Sequence, residues 1–495
     1  MNDGGHKKPS RWTAPLLPLV LAALVPVGCR VTAPPRAARP PVEMPPAWSA
    51  SPSEGGEVVE TWWHSLGSTA LAQVVEESLL ANWDLKVAAA RLEAAIAQAR
   101  VAGAALQPRA GFDFSANRQE RNFIGLPIPG AGNRVLTSRS TSYGATFSVS
   151  WELDLWGRLR AGHRATLAEV QASAADLAAA KLSLAAQTAR AWLATVEAAQ
   201  QLELARQTVT NLQRTTELVR RRYSQGLTQG QSDLRLALAN EAAARAVVAE
   251  RQTVYERTVR QLEILLGRYP RGAFEGGPSL PPLPPPTPAG LPSELLERRP
   301  DLVAAERRMV AADARLRQAK AALYPRITLT TTGGTSTRDL VDLLDLDYKV
   351  WSLAANAVQP LFEGGRLRAE VALARARAEQ AAAEYARTVL QAFAEVESCL
   401  AIAGPLETRE RELTEEWQQA QAAWRLAEER YASGLESYLT VLSAQRQLIN
   451  SQSQRLVVQR AIWENRINLH LALGGGFQVA PAQAINRSAA VHTSP

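Results

Sequence analysis

The segment YGATFSVSWELDL, residues 143–155, alternates apolar and polar side chains at nearly every position. Successive side chains of a β-strand point to opposite faces, so this pattern predicts a strand with one apolar and one polar face. Strands of globular proteins average about six residues, whereas this one, at about 3.3 Å per residue, extends roughly 43 Å. That length is enough to cross a membrane at a tilt.

Three other segments predict strands that accompany it. Residues 112–117 alternate in the same way and form its expected hairpin partner, residues 327–330 alternate with threonines, and a poorer pattern surrounds residues 351–357. The intervening residues 121–140 and 335–347 carry Gly, Pro, Asn or Asp, which is typical of exposed turns. Two strand pairs are therefore expected.

The chain is an internal duplication. The run Gly-Arg-Leu-Arg occurs at residues 157–160 and again 208 positions later at residues 365–368, and the pattern Tyr-x-x-Gly-Leu recurs at the same offset. Each copy contains a strand pair with one apolar face that it cannot bury alone. The copies must therefore assemble with each other or with further chains.

Each strand pair is followed by a helical pattern of about 65 residues, roughly 100 Å of helix. No globular domain has room for that, and the many alanines suit tight coiled-coil packing. Gly226 and Gly434 then mark the tips of two helical hairpins. The ranges expected are 158–223 and 366–430 for the outgoing helices and 232–265 and 438–472 for the returning ones.

The returning helices are about half as long as the outgoing ones, so other helices must complete them. We predict that the helix over residues 301–323 continues the returning helix of the first copy. The helix over residues 69–106 is predicted to continue the returning helix of the second copy, which joins the two ends of the chain. Gly404-Pro405 inside the second long helix predicts a kink.

Composition excludes several classes of function. The net charge is +7, but the basic residues are arginines spread among glutamates along alanine-rich helices, which argues against a nucleic-acid partner. The five histidines lack metal-ligand spacing, and neither a phosphate loop nor a nucleophile elbow is present. We therefore expect no catalytic residue, no metal and no cofactor.

The N-terminus has the pattern of an export signal. Basic residues precede an apolar stretch over residues 16–28 that is followed by Cys29, so acylation of Cys29 after cleavage is expected. The alternative is ordinary cleavage near residues 31–33, and Pro26 stands where a bacterial lipobox usually carries Leu. Cys399, inside a helical run, is expected to be a small buried hydrophobe.

Four strands cannot close a membrane barrel, because closed barrels need at least about eight and an open edge in lipid leaves backbone groups unpaired. Several chains must contribute, and a trimer gives twelve strands. The polar side chains of the first strand pair then line a water-filled lumen; they are Ser148, Ser150, Glu152 and Asp154.

Several motifs together resemble the TolC-like outer-membrane factor family, in its lipoprotein branch that serves resistance-nodulation-division efflux pumps. Similarity runs from about Trp62 to Phe477. The matching motifs are Trp62-Trp63, Asn82-x-Asp84-Leu85, Ala90-Arg91-Leu92, the run from Trp151 to Gly157, the run from Leu291 to Asp301, Pro360-Leu361-Phe362-x-Gly364-Gly365, and the run from Leu473 to Gly476.

The resemblance implies a homotrimer in the outer membrane whose tunnel is opened by a periplasmic adaptor protein and an inner-membrane pump. It also implies a gate just after the second hairpin tip, where the family often has a ring of acidic side chains. The matching positions here are Thr440 and Ser443, which carry hydroxyls in place of carboxylates. Glu436 or Asp233 is the available substitute for the acidic ring.

The expected fold is an α+β membrane protein, a trimeric 12-stranded outer-membrane β-barrel with four strands per chain that continues into a long periplasmic α-helical barrel. The expected function is the exit duct of a tripartite efflux system for small molecules, with outer-membrane lipid as a further partner. Alternatives are a duct for type I protein secretion and a lipid-anchored periplasmic coiled-coil scaffold. The expected divisions are 1–28 signal peptide, 29–68 extended arm, 69–267 first repeat, 268–290 proline-rich linker, 291–477 second repeat and 478–495 disordered tail.

Overall fold

The structure is a computed structural model of the single chain. It describes residues 45–50, 61–123, 136–225, 231–274, 279–282, 295–296 and 298–475. The expected signal peptide, Cys29, Gly226 and the C-terminal tail lie outside these residues.

Eight helices and four strands are described here in chain order. The helices are α1 Trp62–Ser65, α2 Thr69–Ala81, α3 Trp83–Ala104, α4 Arg158–Ser224, α5 Gln231–Leu265, α6 Pro300–Ala321, α7 Arg366–Ala432 and α8 Tyr438–Ala472; the strands are β1 Arg109–Phe123, β2 Leu136–Leu153, β3 Arg326–Thr337 and β4 Lys349–Val358.

The four strands form one antiparallel sheet in the order β1-β2-β3-β4. Its register brings apolar side chains together, since Trp151 on β2 lies opposite Leu329 on β3, and Leu329 lies opposite Ala355 on β4. Phe147 on β2 likewise lies opposite Phe112 on β1. Side chains directly opposite each other share a face. The apolar face predicted for one strand therefore extends across the whole sheet.

The first hairpin is longer than its alternation pattern indicated. β1 and β2 pair as far as Phe123 and Leu136, although residues 121–140 were expected to form a loop. Residues 136–142 are mostly small and polar on both faces, so the strand continues through backbone pairing that side-chain periodicity does not reveal. In the second hairpin β3 also runs further than expected, to Thr337.

The two long helices each contain 67 residues and the two returning helices each contain 35, which repeats the sequence duplication in the structure. A glycine with positive φ precedes each long helix, Gly157 at 74° and Gly365 at 85°. Glycine adopts this left-handed conformation without a Cβ clash, so the chain can turn sharply from strand to helix. Helix α7 continues through Pro405, and the kink expected there stays a prediction.

The helix expected over residues 69–106 is broken at Asn82. Its backbone is extended (φ −63°, ψ 135°), and its side chain accepts hydrogen bonds from the backbone N–H groups of Asp84 and Leu85. An asparagine in this role caps a new helix. The segment therefore forms α2 and α3.

The pairing predicted for the incomplete returning helices is wrong. The Asn82 side chain donates a 2.9 Å hydrogen bond to the carbonyl of Leu265, so the end of α5 meets the start of α3. Arg299 donates to the carbonyl of Ala472 at 3.1 Å, so the end of α8 meets the start of α6. Each returning helix is thus continued by the helix that we had assigned to the other copy.

Glycine makes both end-to-end junctions possible. Gly267 has φ of 69°, and a Cβ on it would lie 2.7 Å from the carbonyl oxygen of Ala81. Gly474 has φ of 89°, and its Cβ would lie 3.0 Å from the backbone of Arg298. A larger residue would force the two helix ends apart at either junction.

The main hydrophobic core lies beside these junctions. Trp62 of α1, Trp192 of α4 and Trp463 of α8 are all fully buried in one cluster that also includes parts of α2 and the end of α5. A second cluster joins α6, α7 and the end of α8, and it contains Cys399, which is buried as predicted. Trp48, from the short described part of the expected arm, packs in this second cluster against Phe393.

Candidate functional site: the polar sheet face and the hairpin tips

The polar face of the sheet consists mainly of hydroxyl groups. Ser148 lies opposite Gly111 and Thr332, and Ser150 lies opposite Arg109 and Thr330. Thr332 in turn shares a 2.7 Å hydrogen bond with Ser352 on β4. Arg109 and Asp113 of β1 add charged groups to this face, which can be wetted along its length.

Glu152 sits at the helical end of this face and is already paired. Both of its carboxylate oxygens accept hydrogen bonds from Arg158 Nη2, at 2.8 and 2.9 Å. Arg158 is the first residue of α4. The pair therefore ties the end of β2 to the start of the long helix.

The expectation that Asp154 continues the polar face is wrong. β2 ends at Leu153, and the Asp154 side chain is only 10% exposed. Its carboxylate accepts hydrogen bonds from the backbone N–H groups of Leu159 and Arg160, at 3.0 and 2.8 Å. It thus satisfies unpaired amides in the first turn of α4, where negative charge is favourable.

The second hairpin tip has the geometry that its glycine predicted. α7 ends at Ala432, and Gly434 follows with φ of 81°. The N–H of Leu435 donates to the carbonyl of Arg430 at 2.8 Å, which is the closing bond of a Schellman motif. Gly226, at the tip of the first hairpin, lies outside the described residues.

A small apolar cluster holds the two hairpins together near their tips. We call it the tip cluster; its buried members are Val219, Ala237, Ala427, Tyr431, Tyr438 and Val441. Two of them come from the first hairpin and four from the second. The hairpin ends therefore cannot separate without exposing this apolar surface to water.

Arg222 adds a polar link across the same boundary. From α4 it donates Nη1 hydrogen bonds to the carbonyls of Tyr431 at 2.5 Å and Ala432 at 3.1 Å, and its guanidinium lies 4.9 Å from the centre of the Tyr431 ring. It thus neutralises the carbonyl end of α7. Arg222 is not among the predicted site residues. The sequence signal for it is its recurrence 208 positions later as Arg430, the offset of the repeat.

The three residues expected at the gate lie together at the start of α8. Glu436 Oε1 accepts hydrogen bonds from the Ser437 N–H at 3.2 Å and the Thr440 hydroxyl at 3.0 Å, and these bonds lower the pKa of the Glu436 carboxyl. Ser443 donates its hydroxyl to the carbonyl of Thr440 at 2.9 Å. Thr440 and Ser443 are exposed in the single chain.

The carboxylate of Glu436 is therefore bound by groups of its own hairpin. Arg430 Nε is 3.8 Å from its second oxygen, which offsets part of its charge. Within the described residues there is no group of three or more acidic, histidine or cysteine side chains placed to hold a metal ion. Among the described residues, a ring of carboxylates at this place would need symmetry copies of the chain.

The chain shows clear similarity to known proteins. Residues 74–268 and 291–475 match the model of the family described as outer membrane efflux protein. The pyoverdine export outer membrane protein OpmQ of Pseudomonas putida is 33% identical over 94% of this chain and 97% of its own length. Outer membrane protein OprJ of Pseudomonas aeruginosa is 32% identical over 91% of this chain and 94% of its own.

The fold is also shared with solved structures. The outer-membrane channel OprN superposes with a TM-score of 0.81 at 28% identity, over 90% of this chain and 100% of that one.

Replacing Arg222 should loosen the hairpin tips. Arg222→Met removes two hydrogen bonds from a charged donor, so the link between the hairpins should weaken by about 1 to 2 kcal/mol. Amide hydrogen exchange over residues 427–441 should then quicken, by about tenfold for each 1.4 kcal/mol. Arg221→Met is the matched control, since Arg221 is exposed on the same turn. Equal exchange in the two variants would show that Arg222 does not hold the tips.

Proposed function

This chain belongs to the outer membrane efflux protein family, and from that membership we propose that three copies close a twelve-stranded barrel that continues into a helical tunnel. The predicted family, the outer-membrane location and the function as an exit channel for efflux are confirmed. The secretion and scaffold alternatives are not favoured. The closed barrel, the tunnel and the gate are our proposal.

The register of the sheet is the observation that carries this proposal. One face is apolar across all four strands, while the other carries hydroxyl groups. Every residue of β4 is exposed in the single chain, and β1 occupies the opposite end of the strand order. A sheet in lipid must pair its edges, so β4 of one copy is expected to pair with β1 of the next.

Three copies supply twelve strands, which is an allowed size for a closed barrel. The apolar face would then contact lipid, and Ser148, Ser150 and Glu152 would line the lumen. The same symmetry brings six long helices and their stacked partners into one tube. A periplasmic adaptor and an inner-membrane pump are the proposed partners at the hairpin tips.

The cargo is proposed to be small molecules. The names of related proteins specify pyoverdine for OpmQ and toluene for TtgF, both from Pseudomonas putida. The polar face described above carries mainly short hydroxyl side chains, with Arg109, Asp113 and the paired Glu152 among its charged groups. Selection among cargoes is therefore expected to rest with the pump.

A charge placed on each face of β2 tests the proposed barrel. Val149 lies near the middle of the apolar band, so Val149→Arg should hinder membrane assembly by about 2 to 4 kcal/mol. Ser150→Arg, one residue away on the polar face, should assemble and change the conductance. Heat-modifiable trimers on gels and planar-bilayer recordings measure the two effects. Equal tolerance at both positions would mean that β2 does not lie in the membrane.

The gate is proposed to lie where three copies of Thr440 and Ser443 approach the axis. Hydroxyls attract cations weakly, so the closed pore should show little block by divalent cations from the periplasmic side. Ser443→Asp should create a three-carboxylate ring, which raises the pKa of its members by mutual repulsion and offers oxygen ligands to hard cations.

Single-channel conductance with a titrated divalent cation measures this difference. Ser443→Asn is the control, because it adds a similar volume without charge. If the unaltered protein is blocked as strongly as the aspartate variant, the constriction lies elsewhere, and Glu436 is the first candidate.

The N-terminal anchor is the remaining part of the proposal. We expect residues 1–28 to be removed and Cys29 to carry the lipid, because the apolar stretch ends directly before it. Mass spectrometry of the mature protein should find an acylated N-terminal cysteine. An unmodified N-terminus beyond Cys29 would contradict this expectation.

A further inference from the structure

The segment between β3 and β4, residues 338–348, folds back onto the sheet. The Thr335 hydroxyl donates a short hydrogen bond to the carbonyl of Leu343, and the Thr337 hydroxyl donates to the carbonyl of Asp339 at 2.8 Å. Both threonines are buried, at 8% and 4% exposure, whereas Ser336 between them is exposed. Alternate residues of a strand point to opposite faces, so the segment covers only one face.

The register identifies the covered face. Thr335 lies opposite Ala145, and Ala145 shares its face of β2 with Phe147 and Val149. This is the apolar face, which the proposed barrel turns toward lipid. We call the segment of residues 338–348 the outer flap, because it lies on that outward side.

The outer flap lies where the apolar band ends. Thr337 is opposite Tyr143. Beyond Tyr143 the same face of the first hairpin becomes charged, with Arg118 and an ion pair between Glu120 and Arg139. An apolar band that gives way to charged groups marks the boundary between the hydrocarbon and the headgroups of a bilayer.

The side chains of the outer flap suit that boundary. Val341 is 90% exposed, Leu344 is 87% exposed and Leu346 is 74% exposed, so one short segment leaves three large apolar side chains uncovered. Aspartates stand among them; they are Asp339, Asp342, Asp345 and Asp347. Two short 3₁₀ turns, Leu340–Asp342 and Leu346–Tyr348, give the segment a defined shape.

We propose that the outer flap is an interfacial anchor, whose apolar side chains enter the outer leaflet of the outer membrane while its aspartates stay among the headgroups. The inference rests on the proposed barrel, since it requires the apolar face to meet lipid. An exposed apolar group on a lipid-facing surface gains from leaving water. The anchor would fix the depth of the barrel at the end remote from the helices.

A neighbouring copy of the chain is the rival occupant. The hydrogen bonds of the outer flap go to β3, which is separated from the free edge of the sheet by β4. The flap is therefore held over the interior of the outward face, whereas the neighbouring copy is expected to pair at the β4 edge. This placement favours lipid.

Nitroxide labels on single cysteines test the inference in the full-length trimer, reconstituted in vesicles of phosphatidylethanolamine and phosphatidylglycerol. Cys399→Ala removes the buried thiol, and Cys29 is expected to be acylated or removed with the leader. Labels are placed through Leu344→Cys, through Val341→Cys in case one variant fails to assemble, and at two reference sites. Ser336→Cys reports the polar face, and Phe147→Cys reports the apolar face.

The measurement is the accessibility of each label to oxygen, which concentrates in lipid, relative to a water-soluble nickel chelate. The oxygen-to-nickel ratio at residues 341 and 344 should be several-fold higher than at residue 336 and lower than at residue 147, because the ratio rises with depth in the bilayer. A ratio equal to that at residue 336 would place the outer flap in water and overturn the inference. Protection from both reagents would mean that a neighbouring copy covers it, which also overturns it.

The reference site at residue 147 separates this inference from the proposed function. If that label is in lipid while the outer flap is not, only the anchor is wrong. If the label at residue 147 is itself in water, the barrel proposal fails and the anchor fails with it.

Discussion

Unpaired backbone at the two edges of the sheet is the constraint on which the rest of this structure depends. An exposed edge is tolerable in water, where solvent satisfies its N–H and C=O groups, but each unsatisfied group in lipid costs several kcal/mol. The strand order leaves β1 and β4 at the ends of a four-stranded sheet. This constraint is the reason for proposing that the sheet lies in the outer membrane as part of a closed ring of strands.

The long helices that adjoin the sheet need stabilisation of their own. A helix of 67 residues is about 100 Å long and is not stabilised by its own backbone hydrogen bonds alone, because helices in water depend on packing. The chain supplies that packing in two ways. Alanine-rich faces let the helices approach closely, and the cluster that contains Trp62, Trp192 and Trp463 holds α1, α4 and α8 together. The junctions at Gly267 and Gly474 then let two short helices serve as one long column.

The sequence predicted the elements better than their connections. Strict alternation identified β2, and the repeated glycines located the starts of α4 and α7, because both signals are local. Stacking of α5 on α3 depends instead on a side chain of Asn82 that meets Leu265, 183 residues away, and no local pattern indicates such a contact. The cap formed by Asp154 was missed for a related reason, since a carboxylate that continues an alternating pattern can equally well turn to the amides of the following helix.

The repeat also shows how equivalent residues acquire different functions. Arg222 and Arg430 occupy the same position in the two copies, yet Arg222 binds carbonyls of the other hairpin while Arg430 faces Glu436 in its own. The difference follows from the packing, because Arg222 lies against the end of α7 whereas Arg430 reaches the segment before α8. The contacts that hold the two hairpins together include the Arg222 guanidinium on two carbonyls, the tip cluster, and a hydrogen bond of 3.2 Å from Arg446 to Asn240. Separating the hairpins would break hydrogen bonds and expose apolar surface at the same time, so the polar and the apolar contacts oppose it together.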